Sequence, residues 1–125
     1  MSAKFFVCEH CGNLVGMIHD AGVPMMCCGQ KMTALVPNTV EASGEKHLPA
    51  VTVEDGAIHV NVGSVDHPML PEHFIEWIYV QTENGGQRKV LKPGDEPHVT
   101  FFLGDDKAAA VYAYCNLHGL WKTEI

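Results

Sequence analysis

Two sets of residues in this chain have the side chains and spacings that metal chemistry requires. One set is spread over the last two-thirds of the sequence and comprises His47, His67, His73, Cys115 and His118. Four imidazoles and one thiolate exceed the four ligands of a closed zinc site. They suit a five-coordinate iron with one position left open for a small substrate. Lys46 precedes the first histidine, where its positive charge would attract an anionic substrate.

The second set lies near the N-terminus, where Cys8-x-x-Cys11 is followed by the adjacent pair Cys27-Cys28. In a Cys-x-x-Cys turn the backbone amides point at the sulfurs and stabilise their negative charge. Four thiolates select zinc or iron in a tetrahedral site. The spacing leaves both metals open, and a zinc ion would only hold the fold together. Because four sulfurs already complete such a site, His10 and His19 in the same segment are expected on the surface.

Composition limits the classes of function. The chain has 125 residues, a net charge of −7 and only eight lysines and arginines, which disfavours nucleic-acid binding. No segment approaches the about 20 apolar residues that span a membrane, and no signal sequence is apparent, so we expect a cytoplasmic protein. Five cysteines cannot all pair in disulfides, and neighbouring cysteines would form a strained one, which favours a reducing compartment.

The sequence predicts two domains joined by a short linker. Residues 1–36 hold four of the five cysteines among many turn residues, and a segment this short needs a metal or a partner to fold. Residues 37–44 are small and polar and are expected to form the linker. Residues 45–125 contain short runs typical of β-strands, separated by turns, which predict an antiparallel β-sandwich.

The predicted strands of the sandwich begin with a hairpin of residues 51–53 and 57–62 around a turn at 54–56. Further strands are predicted at 74–82, 87–91, 99–103 and 109–115. In segment 74–82 the alternation predicts two faces: one with Ile75, Trp77 and Tyr79, the other with Phe74, Ile78 and Val80.

A single histidine is more often a surface or hydrogen-bonded residue than a metal ligand, and His59 and His98 fit that description. The four histidines of the first set differ because they lie at strand ends or in loops, where a rigid sandwich presents functional residues. Cys115 has an alternative interpretation as a small buried apolar residue at the end of a strand.

Taken together, these motifs resemble the desulfoferrodoxin family, the two-iron form of superoxide reductase. The resemblance covers the whole chain in order and is carried by Cys8-x-x-Cys11, Cys27-Cys28, Glu45-Lys46-His47-x-Pro49, His67-Pro68-Met69, His73, Trp77 and Cys115-Asn116-x-His118-Gly119-x-Trp121. It implies a small desulforedoxin-like iron domain followed by an immunoglobulin-like sandwich, usually in a homodimer.

The resemblance also implies a chemistry for each set. The four cysteines would bind one iron, and the four histidines a second iron with Cys115 as its axial ligand. Glu45 would occupy the sixth position in the ferric state, and Lys46 would lie over the open face in the ferrous state. The implied reaction is the one-electron reduction of superoxide to hydrogen peroxide, with rubredoxin or a similar protein as electron donor. The alternative is a non-enzymatic electron carrier or a zinc-stabilised binding module, which the four-cysteine segment alone would support.

Overall fold

The computed structural model describes residues 3–125, which form two compact units, one ending at Val36 and the other spanning Pro37–Ile125. Both units consist mainly of antiparallel β-strands. No helix in the described part of the chain is long and apolar enough to cross a membrane.

The N-terminal unit contains one three-stranded sheet and one short hairpin. Its strands are β1 (Lys4–Val7), β2 (Leu14–Met17), β3 (Met26–Cys27), β4 (Gln30–Lys31) and β5 (Thr33–Ala34). The sheet has the order β2-β1-β5, and β3 pairs with β4. Phe5, Cys8 and Met32 are its buried residues. Such a small apolar core agrees with the expectation that this segment needs a bound metal or a partner for stability.

The second unit is a sandwich of two antiparallel sheets. Its elements are the short helix α1 (Gly44–His47) and the strands β6 (Pro49–Glu54), β7 (Ala57–Val62), β8 (Ile75–Thr82), β9 (Gly85–Val90), β10 (His98–Phe102), β11 (Ala108–Cys115) and β12 (Gly119–Glu124). One sheet has the order β10-β7-β6 and the other β12-β11-β8-β9. The predicted fold class, a small four-cysteine unit followed in the sequence by an immunoglobulin-like antiparallel sandwich, is confirmed.

The core of the sandwich lies between the two sheets and consists of alternate residues from the facing strands. On β7, for example, Ile58, Val60 and Val62 are fully buried, while Asn61 points to solvent. The predicted hairpin of β6 and β7 is therefore correct in its turn and in its buried face. Packing of these β-branched residues fixes the register, because a slip of one residue would expose the whole apolar set.

The predicted faces of β8 are wrong at its first residue. Ile75 packs in the core with Ile78 and Val80, whereas it was predicted to share a face with Trp77. The cause is a β-bulge: β11 residues Tyr114 and Cys115 pair with Trp77 and Ile75, which leaves Glu76 as an extra residue. The bulge turns Ile75 inward at the point where β8 meets the predicted ligand Cys115.

Three local features of the second unit were not predicted from the sequence. One is the strand β12, and another is the helix α1, which carries His47 at its last position. The third concerns residues 37–43, where Asn38 hydrogen-bonds to β12: its Nδ2 donates to the Lys122 carbonyl at 3.1 Å, and its Oδ1 accepts from the Lys122 amide at 2.9 Å.

Gly63 follows β7 and packs directly beneath α1. A Cβ atom at this position would lie 2.6 Å from the Glu45 carbonyl oxygen and 2.8 Å from the Leu48 carbonyl oxygen. Both contacts are with backbone, which cannot move aside without displacing the helix. The absence of a side chain at Gly63 therefore allows α1 to lie close to the sheet, with the His47 side chain buried.

Gly63→Ala should destabilise the sandwich by about 1–3 kcal/mol, the usual cost of overpacking a filled site. Gly44→Ala is the matched control, because a Cβ at Gly44 meets only the Leu48 side chain, at an ordinary 3.6 Å. Urea unfolding of both variants measures the difference. Equal stability of the two variants would show that the space beneath α1 accepts a Cβ atom and that position 63 does not require glycine.

Candidate metal centres

The four N-terminal cysteines are brought together as the sequence predicts. All of them are free thiols, and their sulfurs lie within 4.8 Å of one another. The Sγ atoms of Cys11 and Cys27 are 3.6 Å apart. Two thiolates on a tetrahedral ion with metal–sulfur bonds of about 2.3 Å would be separated by about 3.8 Å. The donor type and the spacing therefore fit one tetrahedral metal ion.

Local backbone geometry holds these sulfurs in place. The Cys11 amide donates to Cys8 Sγ at 3.4 Å, and the Asn13 amide donates to Cys11 Sγ at 3.5 Å. The predicted orientation of backbone amides toward the sulfurs is thus confirmed. Cys28 has a left-handed backbone with φ of 53°, which allows two neighbouring cysteines to face one centre.

Hydrogen bonding makes the four thiols unequal. The Cys11 amide is the main cause of the lowered pKa of Cys8, about 6. By contrast, its neighbours in the cluster, Cys11 first, raise the pKa of Cys28 to about 12. Without a metal the lowered pKa of Cys8 favours its thiolate at neutral pH, whereas the raised pKa values of Cys27 and Cys28 favour their thiols, so a bound cation would be needed to stabilise those two as thiolates.

The second predicted set converges at one end of the sandwich. His47 ends α1, His67 and His73 lie in the connection between β7 and β8, Cys115 ends β11, and His118 lies in the turn before β12. His47, His67 and Cys115 are buried, with exposed fractions of 3%, 2% and 0%. Their donor atoms, together with one from His73, lie within 4.8 Å of one another.

Backbone carbonyls orient the first two imidazoles. His47 Nδ1 lies 2.7 Å from the Ser43 carbonyl oxygen, and His67 Nδ1 lies 2.7 Å from the Pro68 carbonyl oxygen. A carbonyl only accepts, so Nδ1 of each ring carries the hydrogen and Nε2 presents a lone pair. Such contacts are the usual means by which proteins orient metal-binding imidazoles.

These two lone pairs face each other, since His47 Nε2 is 3.1 Å from His67 Nε2. A second proton is disfavoured because burial lowers the pKa of His47 and lowers that of His67 to about 4. Two acceptors at this distance repel each other unless a cation lies beside both. Imidazoles at right angles on one ion, with bonds of about 2.1 Å, would place their nitrogens about 3.0 Å apart.

The four rings form a closed cycle in the order His47, His67, His73 and His118. Neighbouring ring centroids are 4.6, 4.6, 5.1 and 4.9 Å apart, and neighbouring planes are nearly perpendicular. The rings of His47 and His73 lie across the cycle, 6.3 Å apart. His73 Nε2 is buried without a hydrogen-bond partner in the described chain, as expected for a donor awaiting a metal.

His118 faces the other imidazoles with Nδ1, whereas His47 and His67 face each other with Nε2. Its Nδ1 lies 3.1 Å from His47 Nε2 and 3.9 Å from Cys115 Sγ. Trp121 supports this arrangement by donating from Nε1 to the His118 carbonyl at 3.1 Å, while its ring packs against His47 with centroids 4.9 Å apart. Sequence reasoning noted Trp121 only as part of a motif, because its two contacts depend on the turn before β12.

The Cys115 thiol completes the set from the buried side. Burial raises its pKa, and the backbone amides of Leu117 and His118 partly oppose that shift. A buried thiolate therefore needs a nearby cation. Four imidazoles and one thiolate, converging from different parts of the chain, form a donor set that fits iron.

The remaining residues singled out in the sequence lie at or near the surface. Glu45 and Lys46 are exposed on α1, next to His47. His10 and His19 are on the surface, as predicted. His59 bonds to Thr100 and Glu54, and His98 bonds to Asp66, which agrees with ordinary structural roles for both.

The fold and the two donor sets define a non-haem metalloprotein with a four-cysteine centre and a separate centre of four histidines and one cysteine. A family model described as desulfoferrodoxin matches residues 39–124, so this chain belongs to the desulfoferrodoxin family. The donor sets accordingly fit two iron ions per chain.

Individual relatives extend the similarity to the N-terminal unit. The chain is 43% identical over 120 residues to a desulfoferrodoxin homolog from Archaeoglobus fulgidus, which covers 96% of this chain and 95% of that protein. It is 44% identical over 121 residues to the desulfoferrodoxin of Syntrophotalea carbinolica, with coverage of 97% and 95%. The crystal structure of the superoxide reductase from Treponema pallidum matches with a TM-score of 0.82 and 40% identity, covering 99% of this chain and all (100%) of that one.

The unequal thiols predict that metal binding at the four-cysteine site strengthens as pH rises. Cys8 is already a thiolate above pH 6, but Cys28, with its pKa of about 12, must lose a proton on binding. Each such proton should raise the apparent affinity about tenfold per pH unit. Cobalt titration of the Cys115→Ser variant between pH 6.5 and 8, with a pH indicator, measures both the apparent metal affinity and the number of protons released. Binding without proton release in that range would contradict the prediction.

Proposed function

We propose that this chain is a superoxide reductase, which reduces superoxide by one electron, with two protons, to hydrogen peroxide. The convergence of four imidazoles and the buried Cys115 thiol at one end of the sandwich is the observation that carries this proposal. Iron bound there would supply the electron. Cys115 would donate electron density from the buried side, which favours oxidation of the metal.

The residues of α1 are proposed to handle the substrate. Burial is the main cause of the lowered pKa of His47 and of His73, and His118 lowers both further. The exposed Lys46 ammonium makes a smaller contribution in the same direction, so its charge acts on these two imidazoles. We propose that it attracts the superoxide anion and orders the water that delivers protons. Glu45, one residue earlier, is proposed to fill the open coordination position after oxidation.

The two compact units are proposed to act as separate domains, a four-cysteine iron domain at residues 1–36 and the catalytic sandwich at 45–125, with 37–44 connecting them. The N-terminal unit leaves several large apolar side chains exposed: Ile18, Val23, Met26 and Val36. A homodimer that covers them would support this small unit. Rubredoxin or a similar protein is the proposed electron donor, and a reducing cytoplasm the proposed location.

Reaction of the fully reduced chain with pulsed superoxide tests the proposed function. A reductase should consume one superoxide per catalytic site and form one hydrogen peroxide without releasing dioxygen. Cys115→Ser should lose this reaction, while a variant of the four-cysteine site, Cys11→Ser, should keep it. Release of dioxygen would indicate a dismutase, and the absence of rapid oxidation would favour the electron-carrier alternative.

Lys46→Ala should lower the second-order rate of superoxide capture by about tenfold or more, because the chain's net charge of −7 otherwise repels the anion. Lys46→Arg should retain more of the rate, and added salt should slow the wild type. Stopped-flow measurement at several ionic strengths gives these values.

Lys107→Ala is the matched control, because it makes the same change in net charge at another exposed lysine. Lys107 precedes β11 (Ala108–Cys115), so it lies at the far end of that strand from Cys115, about 25 Å away. Equal rates in the Lys46→Ala and Lys107→Ala variants would remove Lys46 from the capture step.

A further inference from the structure

The four imidazoles of the ring cycle are not held in the same way. His47 and His67 are each oriented by a backbone carbonyl 2.7 Å from Nδ1. His73 has no such support, since no protein group in residues 3–125 hydrogen-bonds to its ring. The position of the His73 ring therefore depends on its backbone and on its packing against the neighbouring rings of His67 and His118.

The backbone on both sides of His73 is held by one side chain, that of Asn116. The Phe74 amide donates to Asn116 Oδ1 at 2.9 Å, and Asn116 Nδ2 donates to the Glu72 carbonyl at 3.1 Å. The Asn116 amide also donates to the Phe74 carbonyl at 3.2 Å. One partner only donates and the other only accepts, so the orientation of the side-chain amide is determined.

Asn116 directly follows Cys115 and lies two residues before His118. The same residue therefore joins the loop that carries the thiolate and one imidazole to the segment that carries another. His73 receives a separate restraint on its far side, where its backbone exchanges hydrogen bonds with Leu70 at 2.9 and 3.0 Å. Without the Asn116 side chain, the backbone around His73 would keep its bonds with Leu70 and the backbone bond between Asn116 and Phe74, but it would lose the bonds to the Phe74 amide and the Glu72 carbonyl.

We infer that Asn116 is a positioning residue of the catalytic centre: its side-chain amide clamps the backbone on either side of His73 and sets where that imidazole lies relative to Cys115 and His118. The inference deepens the proposed function and rests on it for the identity of the metal. Loss of such supporting hydrogen bonds commonly weakens metal affinity about 10–100-fold.

Two substitutions separate the contributions of the two side-chain bonds. Asn116→Leu removes both bonds at similar size, whereas Asn116→Asp keeps the acceptor for the Phe74 amide and places an oxygen against the Glu72 carbonyl. Asn38→Asp is the control, because Asn38 makes the same pair of bonds to Lys122. Its left-handed backbone, with φ of 63°, is one that aspartate tolerates.

The iron-loaded full-length chains are compared by chelator competition, by the thiolate-to-iron absorption band and by electron paramagnetic resonance of the ferric form. We expect Asn116→Leu to lose iron from the catalytic centre about tenfold more readily and to show a shifted band and an altered resonance. Asn116→Asp should be intermediate, and Asn38→Asp should match the wild type in all three.

Wild-type affinity and spectra in both Asn116 variants would overturn the inference, as would equal changes in the Asn38→Asp control. If Asn116→Leu fails to fold, Asn116→Asp decides alone. These readouts do not use superoxide. A chain that shows the expected changes but does not reduce superoxide would therefore overturn the proposed function and leave the positioning role of Asn116 intact.

Discussion

The close approach of two neutral imidazole nitrogens, His47 Nε2 and His67 Nε2 at 3.1 Å, is the interaction on which the catalytic end of the sandwich depends. The Ser43 and Pro68 carbonyls fix the hydrogens on the far side of each ring, and burial keeps a further proton away. A bound cation would relieve two lone pairs placed in this way. The fold therefore creates a geometry that a metal ion stabilises.

The sandwich forms this site by bringing ligands from separate connections together at one end. The rigid core fixes the strand ends, and local contacts then place each ring: the clearance at Gly63 admits α1, and Trp121 supports His118. The exposed Lys46 lies next to the buried His47, so the residue proposed to capture the substrate is adjacent to a proposed metal ligand. The four-cysteine unit uses a different principle, in which backbone amides around a tight turn stabilise sulfur charge.

Much of this arrangement could be predicted from the sequence, because metal chemistry restricts both ligand type and spacing, and alternation reveals strands such as β7. Other features depend on three-dimensional context. The sequence does not reveal that His118 uses Nδ1 while His47 and His67 use Nε2, since that follows from the turn before β12. Strict alternation predicted that Ile75 shares a face with Trp77, but the bulge at Glu76 turns Ile75 to the opposite face. The need for glycine at position 63 comes from a helix 16 to 19 residues earlier in the chain, Gly44–His47.

Nitrogen-15 NMR of the histidine rings, in the metal-free chain and after loading with diamagnetic zinc, would show whether the contact between His47 and His67 is a metal site. We expect neutral Nδ1–H rings for His47 and His67 at neutral pH without metal. Zinc should then shift Nε2 of His47, His67 and His73 but Nδ1 of His118, and leave His10, His19, His59 and His98 unchanged. Protonated His47 and His67 rings in the metal-free chain, or binding through a different set of nitrogens, would contradict this expectation.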